Sequence, residues 1–333
     1  MVYIYKKPVG NKVYYYLRAS ERRKGKILSK DIAYLGSTIE EVKSNLDKLT
    51  KFKNQVRKSY KKIHSFLESN HFLQKAQRLK LKKDYFLKDK TDEIEACRLH
   101  YNEVFSKLDA LTKKETFKTY VIEFAYNTAS IEGNTINLEE AKDLLNEGIT
   151  PKGKTLREIY DLQNTEKVFF EFLDAHTGEL THEFVIDIHD KLLEKIDERK
   201  GYRTSNVRVI RSNFEASPRT YVKTDMDLLL KWYSEHKNKL PPLVLAIAFH
   251  HKFEKIHPFM DGNGRTGRMV MNYLLLKNNF PPTIIHKKTR EGYLEAMREA
   301  DSSDIWKLDE KKYAHLIAYG IDEFLDTYWS LFL

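Results

Sequence analysis

The spacing of apolar residues changes once along this chain, and that change limits what it can fold into. Up to Gly36 the pattern is that of strands: Tyr3 and Tyr5, then Val13 to Leu17, then Ile27, Leu28, Ile32 and Tyr34. Pro8-Val9-Gly10 and Lys24-Gly25-Lys26 fall between these runs as turns, so residues 1–36 are expected to form a small antiparallel meander. From Ser37 the repeat lengthens to three and four residues (Val42, Leu46, Leu49, Phe52, Val56), and Ser37-Thr38-Ile39-Glu40 offers a capped helix start. Helical spacing then continues to the C-terminus. It predicts helices near 93–111, 115–129, 138–146, 153–173, 181–195, 224–237, 242–255, 264–278, 289–300 and 309–329. One interruption, residues 201–223, alternates apolar with polar around Ser217-Pro218 and reads as a short hairpin or flap. Three strands bury too little to stand alone, so the fold class is mainly α, with one small β element leaning on a helical body.

Charge divides the chain at a different place. Residues 1–90 hold 24 Lys+Arg against 8 Asp+Glu, and the remainder 34 against 40, so the overall +10 averages a basic N-terminal quarter of +16 with a body of −6. Within residues 51–90 the ratio is 13 to 3. Such a run is expected to be the solvated face of an amphipathic helix; the other reading is a footprint for nucleic acid or another polyanion. With 20 Tyr and 18 Phe there is ample material for a packed core, which excludes disorder. A lone cysteine, Cys97, excludes a disulfide framework and a thiolate zinc site and fits a reducing, cytoplasmic setting. The N-terminus lacks the apolar segment of a signal peptide, and the uncharged run Leu240 to His251 is too short to span a bilayer, so no membrane partner is expected.

The chemistry is concentrated in residues 257–268, HPFMDGNGRTGR. Pro258 pushes residue 257 out of the α region and ends the preceding helix. Gly262 and Gly264 permit a tight turn and close approach of a ligand. The next helix then opens with free backbone N–H groups at the positive end of its dipole, which makes an anion site. Arg265 and Arg268, three apart, lie on one helical face and match phosphate oxygens in bidentate geometry. Asp261 is an oxygen donor suited to Mg2+ when substrate phosphates complete the shell. His257 has the pKa to take a proton from a hydroxyl. Gly-Asn-Gly alone is a common turn and a histidine before proline is often structural; the combination at fixed offsets is what points to a nucleoside triphosphate beside a general base.

This stretch resembles the signature of the Fic (filamentation induced by cyclic AMP) family, HPFx(D/E)GNGRxxR, and meets every position of it. The resemblance implies a helical Fic-like domain and adenylylation: transfer of AMP from ATP, with Mg2+, to a Ser, Thr or Tyr hydroxyl of a target protein. It implies His257 as general base and Asp261 as Mg2+ ligand. Asn263 and the loop amides of Gly262 and Gly264 would cradle the α- and β-phosphates, Arg265 and Arg268 the β- and γ-phosphates, and Phe259 would anchor the loop. Residues 128–133, Thr-Ala-Ser-Ile-Glu-Gly, resemble the family's inhibitory motif, (S/T)xxxE(G/N), in the subgroup where it precedes the catalytic loop. By that analogy Thr128, Glu132 and Gly133 are regulatory. A Glu132 carboxylate paired with Arg268 would occupy the guanidinium that should hold the γ-phosphate, and a misplaced α-phosphate costs orders of magnitude in rate. The flap of the family pairs with the target backbone, which makes Ser217, Pro218, Arg219, Thr220, Tyr221 and Val222 the expected docking strand. The division expected is a meander (1–36), a basic helical segment (37–114) and a catalytic domain (115–333) whose inhibitory helix covers about 115–133.

Two other enzymatic readings use the same site, removal of AMP from a target and transfer of a different phosphate-linked group. A reading of another class makes the protein a regulator that binds nucleic acid through residues 1–90. A metal hydrolase built on His250, His251, His257 and Asp261 lacks a second carboxylate at ligand spacing; one of the adjacent His250 and His251 is expected in the core and the other on the surface. Family members of this subgroup are often dimers, so a homodimer is expected.

Overall fold

The structure, a computed structural model, describes all residues except Met1, Asn11, 24–25, 175–177 and 209–214. Strands β1 (Val2–Val9), β2 (Lys12–Arg23) and β3 (Lys26–Gly36) form an antiparallel sheet in that order. The first turn contains Gly10 at a φ of 58°, as the sequence requires; residues 24 and 25 of the second lie outside the described residues. Strand pleating sends alternate side chains to opposite faces. Val2, Ile4, Tyr15, Leu17 and Leu35 therefore face inward, onto Val42 and Leu46 of α1 (Ile39–Lys48) and Ile63 and Leu67 of α3 (Tyr60–Arg78). The Thr38 side chain caps α1 by accepting from Glu41 N.

The long helix implied by Val42 to Val56 is instead broken at Leu49 and at Ser59, leaving a short α2 (Lys53–Lys58) between. The break returns Leu49, Phe52 and Val56 to the same small core. A straight helix would have carried them past the edge of a sheet only three strands wide. Part of the basic run, Lys53, Arg57, Lys58, Lys61 and Lys62, is the outer surface of α2 and α3, while Ile63, Leu67, Phe72 and Ala76 point inward; Lys80 to Lys90 follow α3.

The helical body follows as α4 (Thr91–Glu103), α5 (Ala110–Ile131), α6 (Leu138–Glu147), α7 (Leu156–Asp174), α8 (His182–Leu192), α9 (Val222–His236), α10 (Pro242–Ile256), α11 (Asn263–Lys277), α12 (Arg290–Ala300) and α13 (Glu310–Leu331). The helix expected over 93–111 stops at Glu103, because Asp109 caps a new one: its carboxylate accepts from Thr112 N at 3.0 Å and Thr112 Oγ1 at 2.6 Å. Residues of the expected basic segment 37–114 are shared between two cores. Those up to Leu67 pack under the sheet, whereas Phe86, Leu87, Ile94, Cys97 and Phe105 join the main core with α13.

At the centre of that core lie α10 and α11, buried on nearly every face. A Cβ on Gly320 of α13 would stand 2.3 Å from Ile247 Cδ1, so α13 crosses α10 at glycine distance. This central position corrects the expectation for the histidine pair: both are buried. His250 bonds the Tyr293 hydroxyl at 2.7 Å and His251 the Tyr313 hydroxyl at 2.8 Å, so neither is offered to a metal. Among the described residues no cluster of three or more His, Cys, Asp or Glu side chains has metal-binding geometry, and no helix is long and apolar enough to cross a membrane.

Candidate active site

His257, Asp261, Gly262, Asn263, Gly264, Arg265 and Arg268 line one cleft together with Glu132. Helix α10 ends at Ile256 because His257 turns into the left-handed region, φ 52° and ψ 59°, ahead of Pro258. A non-glycine residue there is strained and must be held. The holder is Arg203, itself buried. Its Nε donates to His257 O at 2.7 Å, its Nη1 to Ser205 O at 2.9 Å and its Nη2 to Ser217 O, while its backbone N–H donates to Pro258 O. Burial lowers the pKa of the His257 imidazole, against the weaker opposing pull of Glu254 O at 3.3 Å from Nδ1. A neutral imidazole at the mouth of the cleft is a proton acceptor at neutral pH.

Phe259 is fully buried, its ring stacked on His189 with centroids 3.6 Å apart and planes 4° apart. His189 Nε2 meets Asp261 O at 3.1 Å and its Nδ1 meets Asp190 at 2.8 Å, so this histidine ties the loop to α8. Asn263 departs from expectation. Its amide pairs with both the N–H and the C=O of Phe259 at 2.9 Å, and it is 2% exposed. The side chain is committed to closing the loop, and contact with a ligand falls to the backbone. Gly262, at φ 75°, could not carry a side chain, since a Cβ would meet Leu193 Cδ2 at 2.5 Å. The first turn of α11, residues 263–265, opens on the cleft as an N-terminal anion site.

Around that turn the charges are already paired. Arg268 is 1% exposed; its Nε donates to Thr128 Oγ1 at 2.8 Å, and its Nη2 to Thr128 O at 3.1 Å and Glu132 Oε1 at 2.7 Å. Thr128 and Glu132 thus reach a residue about 140 positions away, the two motifs meeting at one guanidinium. Helix α5 stops just before Glu132, with Gly133 at φ 105° turning the chain away, and Arg290 Nε covers the Ile131 carbonyl at 2.9 Å. The Glu132 carboxylate lies over Gly264, where a Cβ would come within 2.1 Å of Oε1. A side chain at 264 would thus collide with the carboxylate that sits on the anion site.

Arg265 is equally buried and pairs with Asp161 of α7, with a longer contact of 3.4 Å to Asp261. Asp161 also accepts from Asn134 Nδ2 at 3.4 Å, which ties the segment after Gly133 to the same cluster. Asp261 bonds Gly262 N at 2.6 Å and the half-exposed Arg157. Burial works to raise its pKa, but Arg265 and Arg157 prevail and hold it below the usual carboxylate range. A lone ionised carboxylate beside an N-terminal anion site fits Mg2+, which keeps its waters and takes further oxygens from phosphates. Arg157, reaching in from the surface, would have to yield that oxygen.

Glu254, three residues before His257, had no place in the motif. Its Oε1 is shielded and without a hydrogen-bond partner; burial, reinforced by Glu132 and opposed by Arg268, raises its pKa to about 8. The group is protonated in the folded protein up to about pH 8 but ionised in the unfolded chain above about 4.5. The folded state therefore binds more protons in that window, and stability falls as pH rises through it. Glu254→Gln, which mimics the protonated acid, should melt higher than the parent protein at pH 8 and close to it at pH 4.5; thermal melts at both values test this.

The flap reading is corrected in part. Residues 209–214 lie outside the described residues, and among those described in 201–223 there is no strand. Ser217 and Pro218 are extended, but Arg219, Thr220 and Tyr221 form a single 3-10 turn and Val222, 1% exposed, begins α9. Arg219 N donates to Asn206 Oδ1 at 2.8 Å and Tyr221 N to Pro218 O at 2.8 Å, so these donors are spent inside the chain and cannot pair with a docking strand. Arg157, Asp161, His189, Arg203 and Glu254 escaped the sequence reading. Only Glu254 lay close enough to the motif to have been weighed with it; the others reach the site from distant segments.

Comparison with known proteins matches residues 179–275 to the Fic/DOC family. Protein adenylyltransferase Fic of Drosophila ananassae is 30% identical over 229 residues, 66% of this chain and 43% of the relative. Protein adenylyltransferase fic-1 of Caenorhabditis elegans is 27% identical over 197 residues, 58% and 38%. The chain thus spans about two fifths of the length of these curated relatives. In structure it is similar to a Fic domain containing signaling protein from Bacteroides thetaiotaomicron, with a TM-score of 0.64 at 22% identity over 71% of this chain and 94% of that one. Fic-1 of C. elegans (residues 134–508) gives 0.61 at 21%, over 79% and 71%. The sequence match over residues 179–275, the shared fold and a complete motif at the mouth of the cleft agree: the chain carries a Fic domain.

Proposed function

We propose that this chain is a protein adenylyltransferase, moving AMP from ATP to a Ser, Thr or Tyr hydroxyl of a target protein, and that Glu132 holds it in check. The observation that carries the reading is the Glu132 carboxylate, paired with Arg268 at 2.7 Å and lying over Gly264 at the start of α11. That is where a polyphosphate would dock. The names of the curated relatives support the reaction class.

In this reading the α11 amides and Arg265 take the phosphates nearer the reaction, and Arg268 takes the γ-phosphate once Glu132 withdraws. His257 accepts the proton of the target hydroxyl. The oxygen forms a bond to the α-phosphorus as the bond from that phosphorus to the bridging oxygen breaks, and pyrophosphate leaves. Mg2+, held by Asp261, would supply charge neutralisation to the phosphates. The rest of the protein's share is positioning and fixed charge.

Glu132→Gly should raise incorporation of label from α-labelled ATP, into the protein itself or into a lysate target, by tenfold or more, since misplacement of the α-phosphate costs roughly that or greater. Mass spectrometry should find AMP on a hydroxyl side chain. Unchanged incorporation would defeat the inhibitory role. Loss of AMP from a pre-modified target, disappearing in the same variant, would point instead to AMP removal.

A further inference from the structure

The N-terminal sheet has two faces, and only one is covered. Val2, Ile4, Tyr15 and Leu17 face the helices, so Tyr3, Tyr5 and Lys7 of β1 and Lys12, Tyr14, Tyr16 and Arg18 of β2 lie on the other side. Tyr34 of β3, 53% exposed, joins them, its ring centroid 5.4 Å from that of Tyr16 and 6.4 Å from that of Tyr14. Pairing places Tyr5 opposite Tyr16, and Tyr16 opposite Tyr34, so rings run across all three strands.

Cations are interleaved with these rings. The Arg18 guanidinium lies 3.4 Å from the centroid of Tyr5, Lys7 Nζ 5.8 Å from that of Tyr16, and Lys62 of α3 reaches to 5.6 Å from Tyr3. Asp31 pairs with Arg18, a bond that holds its pKa down, and Glu41 acts on Tyr34 from the start of α1. The module around the sheet carries +16 over residues 1–90. An aliphatic partner would need apolar area that this face lacks, and a purely acidic partner would have no use for a row of half-exposed rings. Flat rings alternating with cations suit one class of ligand, in which flat bases alternate with phosphates.

We propose that the outer face of the β1–β3 sheet binds single-stranded nucleic acid, with Tyr16 and Tyr34 stacking on bases and Lys7 and Lys12 holding phosphates. This goes beyond the charge footprint of the sequence, which lay in residues 51–90, and it does not depend on the transfer reaction. A continuous sheet face admits splayed-out bases but no groove of a duplex, so single strands should win over duplex of the same sequence.

The test uses the full chain and labelled oligonucleotides of about 12 nucleotides, within the usual range of single-strand site sizes. Anisotropy is read from low to moderate salt. Oligo-U and oligo-dT should both bind, with an affinity that falls steeply with salt, and the tighter of the two identifies RNA or DNA as the source. Tyr16→Ala with Tyr34→Ala should weaken binding by roughly tenfold or more with little change in salt slope, whereas Tyr16→Phe with Tyr34→Phe should keep it. Lys7→Glu with Lys12→Glu, at exposed positions that do not threaten folding, should weaken binding and flatten the slope. Absence of binding at low salt would overturn the proposal. So would duplex or polyglutamate competing as well as single strands, or binding that both the tyrosine-to-alanine and the lysine changes leave intact.

Discussion

His257→Ala, placed in the Glu132→Gly background, should lower AMP transfer by about 10²- to 10⁴-fold, the usual contribution of a general base. The His257 side chain bonds back to Glu254 O of α10, 3.3 Å from Nδ1, and not across the loop. Arg203 holds the loop through the His257 carbonyl, and Asn263 closes it through Phe259, so alanine leaves both intact. The loss should therefore fall on the chemical step, with ATP binding preserved. Single-turnover measurement with labelled ATP separates the two. If ATP binding falls in parallel with turnover, His257 is a structural element of the loop and the assignment as base fails. The pH dependence has a definite sign as well. Burial lowers the imidazole pKa, so the basic form is available further into the acid range than for a free histidine, and the acid limb of the rate profile should lie below the ordinary histidine value of about 6.5.

Asp161→Ala should cost about 3–5 kcal/mol of stability, the usual consequence of leaving one member of a buried ion pair alone. Arg265 is 3% exposed, and its remaining carboxylate contact, to Asp261, is 3.4 Å long. Its Nε has no partner among the described residues, so nothing else nearby absorbs the charge. Asp161 is itself under strain: burial raises its pKa in spite of Arg265 and Arg157. Chemical denaturation of Asp161→Ala beside Arg157→Ala makes the contrast. The half-exposed arginine should cost little, as surface pairs do. Equal losses in the two variants would mean that the pair is not held at low dielectric.

Most of the helical body was legible because its signals are local. Helix α6 begins where Asn137 and Glu140 form a capping box and ends at Gly148 in the left-handed conformation, and α10 starts behind Pro241. Pro258 foretold the end of α10 without any knowledge of the fold. The break at Leu49 was hidden, because no glycine or proline marks it; it follows from the width of the sheet, which is a property of the assembled module. The same division holds in the cleft. Gly262 is required by its own left-handed turn, at φ 75°, and so could be read, whereas a side chain at 264 is barred by Glu132 from another segment. Arg203, Asp161 and His189 act on the loop from other helices and segments, and their own neighbours in sequence say nothing of it. Asn263 was misread because an amide at a phosphate loop suits a ligand as well as it suits the Phe259 backbone; only the packed loop decides between them. The docking-strand reading of Ser217 to Val222 failed because Pro218 can open a 3-10 turn as readily as it can edge a strand.

The placement of α5 has a bearing on how such an enzyme would be switched on. This helix is no appendage clamped over the site: Phe117, Tyr120, Val121 and Phe124 belong to the main core, the Tyr120 hydroxyl is bonded to Thr283 O, and Asn127 Oδ1 accepts from Lys287 N. Dislodging it would amount to unfolding the domain. What can move at small cost is the single side chain past its last turn, where Glu132 remains 45% exposed and Gly133 begins a new direction. On the proposed reading, a signal that releases Glu132 need not do mechanical work on a helix. It needs only to outcompete one guanidinium for one carboxylate, and a rotamer change is enough to transmit it.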